Sequence, residues 1–97
     1  MSRLTILWTK RALRRLGQIG EQIEKDNPTA AASVVSRIAS ALDALAEHPN
    51  MDRPGRLKDT RELVLADIPY IIPYRVRRSD IEILTVMHDA QQWPKAL

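Results

Sequence analysis

Three side chains in the C-terminal half of the chain are of the types that cleave RNA without a metal ion. Arg61 and Arg75 could clamp a phosphate through the forked guanidinium group. His88 titrates near neutral pH and could act as a general acid or base. Cleavage by the RNA's own 2′-hydroxyl needs a base, an acid and cations around the phosphate. The residue types therefore permit an endonuclease with Arg61, Arg75 and His88 as its catalytic set.

Each of these candidates also has a structural interpretation. Glu62 is a second possible base, and Tyr70 or Tyr74 could stack on a nucleobase. In an extended strand, however, Arg61 and Glu62 point to opposite faces, so they do not easily serve one site. Arg61 and Arg75 could equally be ion-pair partners, the tyrosines could lie at the edge of the core, and His88 could be a structural histidine.

Length and composition limit what else the chain can be. Its 97 residues are enough for a single domain, residues 1–97, with 44% hydrophobic residues and one core. Because there is no cysteine, disulfides and thiolate metal sites are excluded, and we predict neither a metal nor a cofactor. We find no signal peptide and no apolar run approaching the length of a spanning helix, so we expect a cytoplasmic protein without membrane contact.

Positive charge is concentrated in three short segments, although the net charge is only +3. Such patches attract polyanions and acidic proteins alike, or form a solvated surface without a ligand. The segments contain Lys10, Arg11, Arg14 and Arg15, then Arg53, Arg56, Lys58 and Arg61, then Arg75, Arg77 and Arg78.

The N-terminal half predicts a strand followed by two helices. Residues 4–8 are short, apolar and β-branched, as in a strand. Asn27 and Pro28 separate two helical periods, with Asn27 as the cap and Pro28 in the first turn of the second helix. So short a break predicts an antiparallel hairpin. The predicted core faces contain Leu13, Leu16, Ile19 and Ile23 on the first helix, and Ala31, Val34, Val35, Ile38, Ala41, Leu42 and Leu45 on the second.

The C-terminal half predicts three strands after a loop over residues 48–58. The strands cover residues 61–66, 70–77 and 81–87, and their short connections predict an antiparallel meander. Pro73 cannot donate a hydrogen bond within its strand, so that strand should lie partly at an edge or carry a bulge. The order β-α-α-β-β-β therefore predicts an α+β fold in which a helical hairpin packs on a mainly antiparallel four-stranded sheet.

This order, with particular residues at particular places, resembles the RelE/ParE superfamily of toxins from bacterial type II toxin–antitoxin pairs. The likeness spans nearly the whole chain, although each segment alone is weakly specific. It is carried by residues 10–16 (KRALRRL), residues 27–31 (NPTAA), residues 54–56 with 60–63 (PGR and TREL), and residues 70–76 with 81–88 (YIIPYRV and IEILTVMH).

The resemblance implies one of two activities. RelE-like members are ribosome-dependent endonucleases that cut mRNA, whereas ParE-like members are described as inhibitors of DNA gyrase. RelE-like nucleases carry lysines where this chain has Glu62 and Val64, an arginine at Ile71, and basic residues at His88 and Asp89. Because most of that set is missing, we favour a ParE-like gyrase inhibitor without catalysis of its own. A RelE-like mRNA interferase is the alternative, and an inactive member is a third.

The resemblance also implies an antitoxin as partner, which would wrap over the helical hairpin and could add a strand to the sheet. We expect its acidic side chains to meet the exposed face formed by Arg11, Arg14, Arg15 and Gln18. Operator DNA would be bound only through the antitoxin. The residues predicted to contact the target are Arg56, Lys58, Arg77 and Trp93, although Trp93 could instead clamp the C-terminal segment onto the core.

Overall fold

Two helices pack on one face of a mixed, mostly antiparallel sheet in the computed structural model, which describes residues 3–50, 52–90, 93–94 and 96. This architecture confirms the predicted α+β class. The elements are β1 (Thr5–Trp8), α1 (Lys10–Asp26), α2 (Pro28–Glu47), β2 (Arg53–Pro54), β3 (Arg61–Val64), β4 (Tyr70–Val76), β5 (Asp80–Ile83) and β6 (Met87–His88). The strand order is β1-β5-β4-β3-β2, and β6 pairs with β4 beyond the end of β5.

Within the described part of the chain the sheet has six strands, where four were predicted. Strand β2 forms inside the segment expected to be a loop, where Arg53 pairs with Glu62. The last predicted strand, residues 81–87, is interrupted and becomes β5 and β6. The pairing of β1 with β5 is parallel, and the other pairings are antiparallel. The sheet is therefore an antiparallel meander with the N-terminal strand added at one edge.

The helical hairpin forms where it was predicted, with one error in its core face. The Asn27 side chain accepts a hydrogen bond from the Ala30 N–H at 3.1 Å, and α2 begins at Pro28, which confirms the predicted cap. Leu13, however, is 54% exposed, whereas its neighbour Ala12 is fully buried. The inward face of α1 thus follows Ala12 and Ile19, and Leu13 lies about 100° around the helix from it.

Helix α2 buries its apolar face on the core through Ile38, Leu42 and Leu45. Val35 was predicted to belong to this face but is 40% exposed. By length and composition alone, the twenty residues of α2 are apolar enough to cross a membrane. The sequence-based prediction had been that no apolar run approaches that length. One such helix is weak evidence for a membrane span, because core helices meet the same criterion.

Pro73 lies in β4, between β3 and the β5–β6 segment, and is fully buried. Ile71 pairs with Met87, and Tyr74 pairs with Ile83. Residues 72 and 73 of β4 therefore lie opposite three residues, 84–86, of the segment between β5 and β6. This mismatch is a β-bulge. The Pro73 carbonyl accepts from the Leu84 N–H at 3.0 Å, so the proline nitrogen also points toward the bulge. A bulge is therefore present at Pro73 as predicted, but the extra residue lies in the segment between β5 and β6 and not in β4.

Thr9 connects this bulge to the start of α1. Its hydroxyl accepts a hydrogen bond from the Ala12 N–H at 3.1 Å and so caps the helix. The same hydroxyl donates to the carbonyls of Ile83, at 2.8 Å, and Leu84, at 3.2 Å. One side chain therefore satisfies the first turn of α1 and the carbonyls at the point where β5 ends.

We expect Thr9→Ala to destabilise the protein by about 2–3 kcal/mol, because it removes a helix cap and the hydroxyl donor of the Leu84 carbonyl, while the Ile83 carbonyl keeps the backbone N–H of residue 9. The matched control is Asn27→Ala, which removes only an exposed cap and should cost about 1 kcal/mol. Thr9→Ser keeps both functions and should stay within about 0.5 kcal/mol of the wild type. Urea unfolding followed by circular dichroism measures all three. Equal losses for Thr9→Ala and Asn27→Ala would contradict the dual role of Thr9.

Candidate functional site

The structure brings together the four side chains predicted to bind an antitoxin. They line a cleft of about 380 Å³ between α1 and the last part of the sheet, which we call the α1 cleft. Its walls and floor are formed by Arg11, Arg14, Arg15, Gln18, Thr85, Met87 and Pro94. Thr85 and Met87 were not predicted to line this cleft, because the sequence pattern indicated one unbroken strand over residues 81–87.

The α1 cleft is strongly cationic. Arg11, Arg14 and Arg15 are spaced three and four residues apart, so they share one face of the helix. Arg11 also donates from Nη1 to the Ala96 carbonyl at 3.2 Å, which brings the C-terminal segment to the cleft. No acidic side chain lines the cleft among the residues that the structure describes. A carboxylate or another anion from a partner would find three guanidinium groups here.

A second basic concavity, of about 460 Å³, lies where β4 ends and β3 begins, and we call it the β4-end site. It brings together Arg61 and Arg75, predicted as catalytic residues, with Arg77, predicted as a target contact. Its lining consists of Pro54, Asp59, Thr60, Arg61, Arg75, Val76 and Arg77. The exposed turn between β2 and β3 carries the other predicted target contacts, Arg56 and Lys58.

Arg61 and Tyr74 fix the loop beside the β4-end site. Arg61 donates from Nη1 to the Asp52 carbonyl at 2.7 Å. The Tyr74 hydroxyl is shared between the Pro49 carbonyl, at 3.0 Å, and Asp52 Oδ2, at 3.1 Å. Burial raises the pKa of the Asp52 carboxyl, and burial together with Asp52 raises the pKa of Tyr74. Because Tyr74 is fully buried, it holds this loop and is not accessible for stacking on a base.

His88 lies at the other end of β4, away from the two arginines. It pairs with Tyr70 in the sheet, and the two rings meet edge to face with 5.6 Å between their centroids. Arg75 is five residues further along β4, or about 17 Å at the usual rise of a strand. His88 and Tyr70 line a different depression, beside Arg15. The structure therefore does not assemble Arg61, Arg75 and His88 into one site.

Glu62 is not among the residues that line the β4-end site. It pairs with Pro73 in the sheet while Arg61 pairs with Tyr74, so the two side chains lie on opposite faces, as the sequence predicts. The Glu62 side chain is buried, and Arg53 bonds one of its carboxylate oxygens. The other oxygen, Oε2, is buried without a hydrogen-bond partner among the described residues. Within the same described part of the chain, no three His, Asp or Glu side chains are grouped as a metal site would require.

Trp93 packs on the turn between β2 and β3. A Cβ atom placed on Gly55 would lie 2.8 Å from Trp93 Cη2 and 2.2 Å from Thr60 Oγ1. Such distances leave no room for any side chain, so only glycine fits at this position. Of the two roles considered for Trp93, the clamp is the one that this contact supports.

Comparison with known proteins gives consistent matches over nearly the whole chain. A family model described as the ParE toxin of type II toxin–antitoxin system, parDE, matches residues 6–93. A relative named "Putative toxin Y4kP" from Sinorhizobium fredii is 70% identical over 97 residues, covering all of both chains. Toxin RelE2 of Caulobacter vibrioides is 38% identical over 88 residues, which cover 89% of this chain and 96% of the relative.

Solved structures agree with these matches. A chain of the chromosomal ParDE toxin–antitoxin system from P. aeruginosa superposes with a TM-score of 0.79 at 25% identity, over 89% of this chain and 96% of that one. A chain of the toxin–antitoxin complex RelBE2 from Mycobacterium tuberculosis has a TM-score of 0.64 at 24% identity, over 90% and 99% of the two chains. The second likeness concerns the fold alone.

We expect Gly55→Ala to destabilise the protein by about 1–3 kcal/mol, because the new methyl group displaces Trp93 or Thr60. In a Trp8→Phe background, the fluorescence of Trp93 should shift to longer wavelength as the indole becomes more exposed. The control is Gly17→Ala, where nothing lies within 4 Å of the new Cβ. This helical change should stabilise by about 0.5–1 kcal/mol and leave the emission unchanged. Wild-type stability and emission in Gly55→Ala would show that Trp93 is not seated there.

Proposed function

The chain belongs to the ParE toxin family and is the toxin of a type II toxin–antitoxin system, and we propose that its target is DNA gyrase. The main support is the dispersal of the candidate nuclease residues. His88 lies about 17 Å along β4 from Arg75. A general acid or base at that distance cannot act on a phosphate held by the two arginines, because proton transfer requires hydrogen-bond contact.

The outer face of the sheet gives a second argument against RNA cleavage. Three of the five positions that carry basic residues in RelE-like nucleases are Glu62, Val64 and Ile71, and the register of β3 and β4 places these three together on this face. Glu62 is buried and paired with Arg53, Ile71 is buried, and Val64 is 43% exposed. A carboxylate and two aliphatic groups do not stabilise the negative charge that develops on a phosphate during cleavage.

We propose that the cognate antitoxin wraps over α1 and occupies both the α1 cleft and the hairpin seam on the other side of that helix. By hairpin seam we mean the apolar groove between the helices, with small residues on both sides and Val35 exposed in it; it is lined by Gly20, Glu24, Pro28, Ala31, Ala32, Val35, Ser36 and Ala39. An amphipathic antitoxin segment suits this pair of surfaces, with apolar side chains in the seam and acidic side chains in the cleft. The family description and the ParDE toxin–antitoxin system named for the structural neighbour from P. aeruginosa support such a partner.

A ribosome-dependent mRNA endonuclease is the alternative function, because the 38% identical relative is named toxin RelE2. The two targets predict different damage in the cell. Both lie in the cytoplasm, where we propose that the toxin acts. Operator DNA would be reached only through the antitoxin.

One induction experiment separates the two functions. The toxin is expressed without its antitoxin, and plasmid supercoiling, the DNA-damage response and primer-extension cuts in mRNA are followed in the same culture. We expect loss of negative supercoiling and broken DNA with intact mRNA. Codon-phased cuts in mRNA with normally supercoiled DNA would contradict the gyrase proposal.

Two controls sharpen this experiment. Co-expression of the antitoxin should restore growth and supercoiling. His88→Ala should remain as toxic as the wild type, because His88 has no catalytic role in a gyrase inhibitor. A loss of toxicity in a folded, soluble His88→Ala variant would favour the nuclease instead.

A further inference from the structure

We infer that the β4-end site binds the phosphodiester backbone of a nucleic acid, with Arg75 and Arg77 as the phosphate contacts and Arg61 beside them. The inference goes beyond the choice of target, because either a gyrase-bound DNA or an mRNA presents the same backbone. It also separates this surface from the α1 cleft, which we assign to the antitoxin.

The charge of the β4-end site is not balanced within the sheet. Arg75 and Arg77 both reach the same oxygen of Glu82, at 3.5 and 3.4 Å. Each guanidinium has five N–H donors, and these two long contacts to one carboxylate oxygen use few of them. The side chains remain 31% and 56% exposed, so the remaining donors are within reach of solvent or a ligand. Two cations thus share one anion at an accessible position.

Arg61 is a third cation at the edge of the site, but it pairs with Tyr74 and so lies on the opposite face of the sheet from Arg75. Its Nη1 donates to the carbonyls of Asp52, at 2.7 Å, and Asn50, at 3.4 Å. The Asp52 carboxylate accepts from the Tyr74 hydroxyl and also interacts with the charge of Arg61. One acidic side chain, Asp59, lines the site as well, and the adjoining turn contributes Arg56 and Lys58. The net charge of the side chains at this end of the sheet is therefore positive.

The site is also held in place before any ligand binds. Arg75 lies opposite Glu82 in the β4–β5 register. On the other side, the turn before β3 is fixed by Thr60, which is buried and donates its hydroxyl to the Leu57 carbonyl at 2.6 Å. Asp59 completes this turn in the left-handed region, with φ 61°. Cations on fixed backbone lose less freedom on binding than cations on a mobile loop, and this favours affinity.

A polar backbone edge lies next to the guanidinium groups. The ladder between β3 and β4 begins at the Arg61–Tyr74 pair, so Val76 extends past the start of β3. Backbone N–H and C=O groups of alternate strand residues point to the same side of the strand. Those of Val76 therefore point toward β3, as those of Tyr74 do. This places the amide edge of Val76 within the lining of the site. Backbone N–H groups and arginines together are common phosphate ligands.

The row-like arrangement favours a nucleic acid over a single small anion. Arg75 lies near the end of β4 and Arg77 directly follows that strand, which separates their Cα atoms by about 6.6 Å at the rise of an extended chain. The exposed turn before β3 adds Arg56 and Lys58. Regularly spaced cations on a fixed edge match a polymer that carries a charge at every unit. An acidic peptide is the competing ligand, and the test below includes it.

The test is fluorescence anisotropy with the purified full-length toxin and two labelled probes, a 15-nucleotide single-stranded RNA and a DNA duplex of the same sequence. The test variant is Arg75→Gln/Arg77→Gln. The matched control, Arg3→Gln/Lys25→Gln, removes the same charge elsewhere, since Arg3 pairs with Asp43 and Glu47 on α2. Circular dichroism checks that both variants are folded. Affinities are measured between 50 and 200 mM KCl, with and without polyglutamate as competitor.

We expect the test variant to bind about tenfold or more weakly at 100 mM KCl, and the slope of log K against log salt to fall by about 1.8 for the duplex and about 1.4 for the single strand. The control should stay within about twofold of the wild type. The probe that binds more tightly identifies the class of nucleic acid. Unchanged slopes in the test variant, equal losses in both variants, or displacement of the probe by equimolar polyglutamate would each overturn the inference.

The same proteins separate this inference from the gyrase proposal. If wild-type toxin inhibits supercoiling by purified gyrase but Arg75→Gln/Arg77→Gln binds the probes normally, the phosphate site is wrong and the target assignment stands. If the variant loses probe binding but the wild type leaves gyrase active, the phosphate site stands and the target assignment is wrong.

Discussion

Pro73 removes one backbone donor from a strand that is paired on both sides, and the structure around it accommodates that loss. Opposite Pro73, residues 84–86 form a bulge in the adjacent strand, which divides the last predicted strand into β5 and β6. Next to this bulge the Thr9 hydroxyl donates to the carbonyls of Ile83 and Leu84 and also caps α1. The start of α1 is therefore fixed to the sheet where the bulge begins, and the α1 cleft, whose floor includes Thr85 and Met87, lies beside this junction.

The fold separates two basic surfaces that the linear sequence leaves undistinguished. The arginines of the α1 cleft belong to a helix, whereas those of the β4-end site belong to β3, to β4 and to the residue that follows β4. Each surface has its own structural support, the bulge and Thr9 in one case, and Glu82 with the Asp52–Tyr74 loop in the other. A toxin that must be neutralised by one partner and act on another benefits from such a separation, because each surface can bind without competing for the same side chains.

Local patterns were sufficient for most of the fold. Asn27 and Pro28 predicted the break between the helices because capping is a local interaction, and Pro73 predicted a bulge because the missing donor is a local fact. The short strand β2 was not predictable, since it is held by pairing with Glu62 rather than by its own sequence. Leu13 was placed in the core because helical spacing alone does not distinguish the face on the sheet from the seam between helices. For the candidate site, helical spacing gathered Arg11, Arg14, Arg15 and Gln18 correctly, whereas the separation of His88 from Arg75 depends on strand register.

If the antitoxin occupies the α1 cleft, it leaves the β4-end site open. NMR spectra of the arginine side-chain N–H groups, recorded on labelled toxin with and without unlabelled cognate antitoxin, test this arrangement residue by residue. We expect large shifts for Arg11, Arg14 and Arg15 and nearly unchanged signals for Arg75 and Arg77. Large shifts at Arg75 and Arg77 with an undisturbed α1 cleft would contradict it.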